Sequence, residues 1–245
     1  MTSRDVETSP KTYARIGGIL YLIIIVVGGY AEFSRGNLVV SGDAVGTAAK
    51  ITAAESQFRL STTGELMMLV CAVALTLILY VLLRPVNKNL ALLAMFFDLV
   101  SVGIEGLSRV NLFAALFPLG SASYLKAFNP GQLDAMAYLS LRTYEYGFGI
   151  SLVFFAFALF FFGLLVFRSG FFPNVLGILM MIGSACYLFN SLALFLAPEF
   201  ESSIFPAIVL PAGLAELAFC LWLIVVGVDA SRWKERAAGS TSGAL

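Results

Sequence analysis

Residues 90–117 form an apolar run long enough to cross a bilayer, yet it carries Asp98, Glu105 and Arg109. At 100° per residue, steps of seven and four nearly close whole helical turns, so the three side chains fall within one narrow arc. An ionisable group at membrane depth is costly and faces a protein interior or a wet cavity rather than lipid. A lone helix has no such interior. The run therefore demands a bundle with a polar centre.

The rest of the chain agrees. Of the 245 residues, 60% are hydrophobic and only 12% charged, against about a quarter charged in a soluble domain. The mean hydropathy of +0.92 leaves too little polar surface to cover a soluble globule, which makes this an integral membrane chain. Net charge is formally zero, and no basic run points to nucleic acid. The chain has no histidine, which removes the commonest metal ligand and the commonest general base. Cys71, Cys186 and Cys220 each sit inside an apolar run, odd in number and far apart, and read as small hydrophobes. No metal and no cofactor are expected.

Six spans are predicted, at about 16–31, 60–83, 90–117, 142–167, 174–197 and 204–228, giving an all-α membrane bundle over 16–228 with tails at 1–15 and 229–245. The first run, preceded by Arg4, Lys11 and Arg15, is longer than a signal-peptide core and is read as a retained span. Ser41-Gly42-Asp43 is a helix start, and Ala48, Ala49, Ile51, Thr52, Glu55 and Phe58 continue with helical spacing. The stretch is too polar to span, so a surface helix on the outer mouth is expected. Asn129-Pro130 opens a half-polar helix that runs into the fourth span. Pro211, inside the sixth, is expected to free a backbone carbonyl one turn back.

Six spans put both termini on one side, with Arg4, Lys11, Arg15, Arg84, Lys88, Arg168, Arg232, Lys234 and Arg236. The other side has Arg35, Lys50, Arg59, Lys126 and Arg142. The positive-inside rule then places both termini in the cytoplasm. A weak three-fold order is also visible. Each inward span bears one glutamate in its outer part, Glu65, Glu145 and Glu216, which favours three helical hairpins around one polar centre.

The interior charges do not balance. Glu65, Asp98, Glu105, Glu145 and Glu216 face Arg109, with Arg59 and Arg142 nearer the water, and Glu105 to Arg109 is an i,i+4 pair in the favourable order. Two carboxylates lack a basic partner. Such a group takes up a proton, stays hydrated or holds a cation. Tyr144, Tyr146, Phe148, Tyr187 and Phe189 could supply π faces. Equally, an Arg–Glu network can simply hold the bundle together.

No phosphate loop, dinucleotide fingerprint, zinc-protease helix or nucleophile elbow is present. Several stretches do look familiar: Arg15-Ile16-Gly17-Gly18-Ile19-Leu20-Tyr21-Leu22, Gly42-Asp43-Ala44, Phe58-Arg59-Leu60, Leu79-Tyr80-Val81-Leu82-Leu83-Arg84-Pro85-Val86-Asn87, and Arg168-Ser169-Gly170-Phe171 before Pro173. Together they resemble a prokaryotic multi-span membrane family known as domain of unknown function 4386. The resemblance covers about residues 15 to 228 and implies a multi-pass protein of a prokaryotic cell membrane. It implies no activity and no catalytic residue.

The first expectation is a polar, acidic cavity in the outer half of the bilayer that binds a small amphipathic or apolar molecule. Glu65, Asp98, Glu105, Arg109, Glu145, Asn190 and Glu216 would line it. Three alternatives stay open. One is an intramembrane enzyme on a lipid or isoprenoid-like substrate, with Asp98, Glu65 or Glu216 as the acid. The others are a proton- or cation-coupled transporter and a structural subunit. Membrane lipid is the expected surrounding partner, and the oligomeric state stays open.

Overall fold

The computed structural model describes residues 9–242, with the side chains of 240–242 left out. Among these residues the secondary structure is helical throughout: α1 (Pro10–Leu38), α2 (Ala44–Ala53), α3 (Glu55–Leu83), α4 (Lys88–Ala114), α5 (Pro130–Ser169), α6 (Asn174–Leu196), α7 (Pro198–Ile204), α8 (Leu210–Val225) and α9 (Ala230–Ser242). Six segments are long and apolar enough to cross a membrane: α1, α3, α4, α5, α6, and α8 with the 3-10 turn before it. Arg4, which the charge bias counted, lies outside the described residues.

Local chemistry sets the boundaries. Asp43 caps α2, its side chain accepting from Gly46 N. Asn87 does the same for α4, accepting from Leu90 N. Asn129 and Gln132 form a reciprocal capping box, with Pro130 in the first turn, and launch α5. The half-polar helix at its start and the fourth span are thus one continuous rod of 40 residues. Gly170, at φ 75°, ends it in a left-handed turn that favours glycine. The second span begins earlier than expected, at Glu55, because α2 stops at Ala53 instead of running on through Phe58.

Pro211 differs from its expectation. It falls in the first turn of α8, where a missing N–H costs no intrahelical bond. No helix is broken there, and no carbonyl is freed mid-span.

The six spans close a ring in chain order. α1 packs on α3, α3 on α4, α4 on α5, α5 on α6, α6 on α8, and α8 back on α1. Large apolar side chains such as Val26, Val70, Leu107, Phe157, Ile182 and Leu221 point outward, exposed, as they would toward lipid. Two close approaches tighten the ring. A Cβ on Gly177 would lie 2.5 Å from the Gly163 carbonyl oxygen, so α5 and α6 meet backbone to backbone. A Cβ on Gly18 would lie 2.6 Å from Ile224, fixing α1 against α8.

The interior is layered. The end carrying both termini is filled with hydrocarbon: Leu75, Leu79, Leu82 and Leu83 of α3, Leu159, Phe162 and Leu165 of α5, Phe219 and Leu223 of α8, and Phe171 and Phe172 from the α5–α6 turn. A second apolar cluster closes the far end, where Ile51 of α2 meets Leu38, Phe58, Leu112, Leu116 and Leu141. Polar side chains occupy the space between.

Candidate functional site

Arg35, near the end of α1, donates from Nη1 to Glu65 Oε1 on α3 at 2.8 Å and from Nη2 to Glu32 at 2.7 Å. Arg109 on α4 reaches the same Glu65 oxygen from Nη2 at 3.4 Å and Glu105 at 2.6 Å. The i,i+4 pair expected from the spacing is therefore present, but as part of a longer chain: Glu32, Arg35, Glu65, Arg109, Glu105. Glu65 is 1% exposed and Arg109 2%. The Tyr144 ring faces both guanidiniums, at 4.9 Å from Arg35 and 5.4 Å from Arg109, and Phe148 lies 5.6 Å from Arg109. Glu65 Oε2, Arg109 Nε and Nη1, and the Tyr144 hydroxyl make no hydrogen bond.

Further along the α3–α4 seam, Thr76 Oγ1 lies 2.5 Å from Asp98 Oδ2 and 2.8 Å from the Ala72 carbonyl. Glu216 of α8 is held separately, accepting from Tyr21 of α1 at 2.8 Å and from Tyr187 of α6 at 2.7 Å. The two surplus carboxylates thus meet hydroxyl donors rather than cations. A hydroxyl satisfies a carboxylate oxygen without bringing a second charge into the membrane core.

Glu145 lies elsewhere again. It pairs with Arg142 on the same helix, and both are about two-fifths exposed. The pair borders a cleft of about 330 Å³ at the far end of the ring, together with Tyr138, Leu194, Glu199 and Glu201. Asn190 lies close to Glu201, and its Oδ1 is buried and unpartnered. Burial pushes the Glu201 carboxyl above the usual carboxylate range, and the nearby negative charge of Glu145 adds to this.

The seven residues singled out from the sequence therefore occupy four places. Glu65, Glu105 and Arg109 come together. Asp98 sits with Thr76, and Glu216 sits between two tyrosines. Glu145 lines the far-end cleft, and Asn190 is buried near Glu201. A single centre fed by three glutamates is not what forms, because Glu145 is turned about 100° around α5 from Tyr144 and pairs with Arg142 beside the far-end cleft. Arg59 does not serve the interior either; it pairs with Glu55 at 2.6 Å on the exposed surface.

Arg35 is the largest omission. It reads as an external-loop cation by sequence, yet it is 7% exposed, because α1 continues to Leu38 instead of ending at 31. The Glu32–Arg35 spacing of i,i+3 was the available signal. Of the aromatic residues considered, Tyr144, Phe148 and Tyr187 touch the polar groups. Tyr146 lies over exposed Arg142, and Phe189 packs outward on Phe200.

No solved structure matches this chain. An uncharacterized protein of the archaeon Archaeoglobus fulgidus is 28% identical over 167 residues, covering 68% of this chain and 83% of its relative. The family described as Domain of unknown function (DUF4386) matches residues 16–227, the whole ring of spans. The chain is a multi-pass membrane protein and belongs to that family.

Proposed function

We propose that the protein binds a small amphipathic molecule, cationic at its head, in the cleft at the far end of the ring. The observation that carries this reading is the charge of the cleft: three carboxylates, Glu145, Glu199 and Glu201, against one guanidinium, Arg142, which Glu145 already engages. Leu194 and Pro198 offer an apolar wall and Tyr138 a π face. The unpartnered Asn190 oxygen supplies a further acceptor behind Glu201. By the charge bias of the loops, both termini face the cytoplasm of a prokaryotic cell membrane, and the cleft opens on the outer side.

Titration of the purified chain in neutral detergent with decyltrimethylammonium tests this. The expected result is saturable binding that tetramethylammonium and decyl sulfate do not reproduce. It should be lost in Glu199→Gln/Glu201→Gln and kept in Glu55→Gln. The cation needs the ionised form of Glu201, whose protonation sets in at a higher pH than usual. Affinity should therefore fall with decreasing pH before the ordinary glutamate value of about 4.3 is reached. Equal binding of the anionic and cationic amphiphiles would sink the reading.

Proton- or cation-coupled transport is a second reading, supported by one observation: Asp98 and Glu216 are buried at span depth with only hydroxyl partners. Acidification of proteoliposomes driven by substrate, abolished in Glu216→Gln, is its test. Acid catalysis needs a carboxyl that faces a substrate pocket. The far-end cleft does not reach Asp98, Glu65 or Glu216. The Arg35–Glu65–Arg109 network, roofed by the α2 cluster, is best read as the lock that holds α1, α3 and α4 together.

A further inference from the structure

The end of the ring that carries the termini is strongly basic. Lys11, Arg15, Arg84, Lys88, Arg168, Arg232, Lys234 and Arg236 are all exposed there, against Asp229 and Glu235. Among the described residues the one ion pair at this end joins Arg232 to Asp229, at 3.5 Å. The helix α9 starts only a few residues after α8 ends and folds back over the mouth of the bundle. Three side chains pin it. Trp233 Nε1 donates to Leu82 O at 2.8 Å, Arg232 Nη1 to Gly170 O at 3.1 Å, and Arg236 Nη2 to Arg168 O at 3.5 Å. These carbonyls lie at the C-terminal ends of α3 and α5, where helix dipoles favour cations and donors.

Between α9 and the two turns lies a cleft of about 640 Å³, bordered by Pro85, Val86, Gly170, Arg232, Glu235 and Arg236. A guanidinium carries five N–H donors, so the contacts to carbonyls and to Asp229 fix Arg232 and Arg236 in place while leaving donors for a ligand. A phosphodiester matches that donor set. We propose that this cleft binds the headgroup of an anionic glycerophospholipid, with α9 as the clamp. A lipid is favoured over a soluble phosphate because the cleft lies immediately beyond the ends of the spans. That is the level of the headgroups, and α9 presents Arg232 and Arg236 to the cleft while Trp233 packs back on the bundle.

The test is native mass spectrometry of the full chain in neutral detergent, titrated with phosphatidylglycerol, phosphatidylcholine or glycerol phosphate. Phosphatidylglycerol should bind in preference to the other two. Removing both cations in Arg232→Gln/Arg236→Gln should weaken it roughly twenty-five-fold, about five-fold for each charge. Trp233 still holds α9 to Leu82 O in this variant, and the two lost contacts are exposed, so the variant should melt in phosphatidylcholine close to the temperature of the parent. Equal binding of the two lipids, a preference kept in the double variant, or glycerol phosphate binding as tightly as the lipid would each overturn the proposal. So would a lower melting temperature of the variant in phosphatidylcholine, which would make the arginines mere fasteners of α9.

Discussion

Glu65 shares one oxygen between two guanidiniums and leaves the other without a partner. Removing its carboxylate leaves two nearly fully buried guanidiniums with one carboxylate each, Glu32 for Arg35 and Glu105 for Arg109, and nothing between them to offset their mutual repulsion. Glu65→Leu should destabilise the protein by about 3 kcal/mol or more. Arg59→Ala, which deletes an exposed pair, should stay within about 0.5 kcal/mol. Thermal melting of both variants in one detergent checks the contrast, and similar losses would refute it. At this scale the sequence was only half readable. The stripe of Asp98, Glu105 and Arg109 follows from helical periodicity alone. The hydroxyls of Thr76, Tyr21 and Tyr187 do not, since nothing in a single helix says which of the chain's many serines, threonines and tyrosines will meet a carboxylate on another.

Elements were more legible than their partners. Apolar length found all six spans, and Asp43 and Asn129-Pro130 marked two helix starts at their true places. The errors lie where tertiary contact extends a helix past its apolar core. α1 gains about two turns, through Leu38, and α3 gains more than one before Leu60. Packing between elements was invisible for a related reason: Gly163 and Gly177 belong to different helices, and only their juxtaposition makes them a contact. Gly177→Ala should force α5 and α6 apart and lower the melting temperature markedly. Gly29→Ala, where an added methyl meets nothing within 4 Å, should be neutral or slightly stabilising. Circular dichroism melts of the two alanine variants distinguish these outcomes.

For the whole molecule, the closed ring in chain order makes each span antiparallel to both neighbours, so an even number of spans returns the chain to its starting side. If the charge bias sets the orientation, the turn containing Lys126 lies outside and α9 inside. A cysteine at Lys126 should react with a membrane-impermeant maleimide on intact cells, in a background lacking the native cysteines. One at Lys234 should react only after permeabilisation, and the reverse pattern would invert the topology. The expectation of one polar centre missed the ring's division into compartments, because a shared helical face does not bring together residues eleven positions apart along it, and the sequence of one span does not say which face of its neighbour it meets.

The two contacts on the α3–α4 seam, Glu65 with Arg109 and Thr76 with Asp98, are eleven residues apart on each helix (65 to 76, and 98 to 109). Sliding one helix past the other by a turn would break both at once, so α3 and α4 act mechanically as a single strut. Ser101 of α4 and Ser151 of α5 extend that strut by a further hydrogen bond, and the glycine contact carries it to α6. The remaining stave is α8, only 16 residues long and fastened through Glu216 and the Cys220 thiol, which donates to Gly18 O. Losing that one carboxylate would leave the shortest stave tied to α1 and α6 by apolar packing and the Cys220 thiol alone, while the rest of the barrel kept its polar ties.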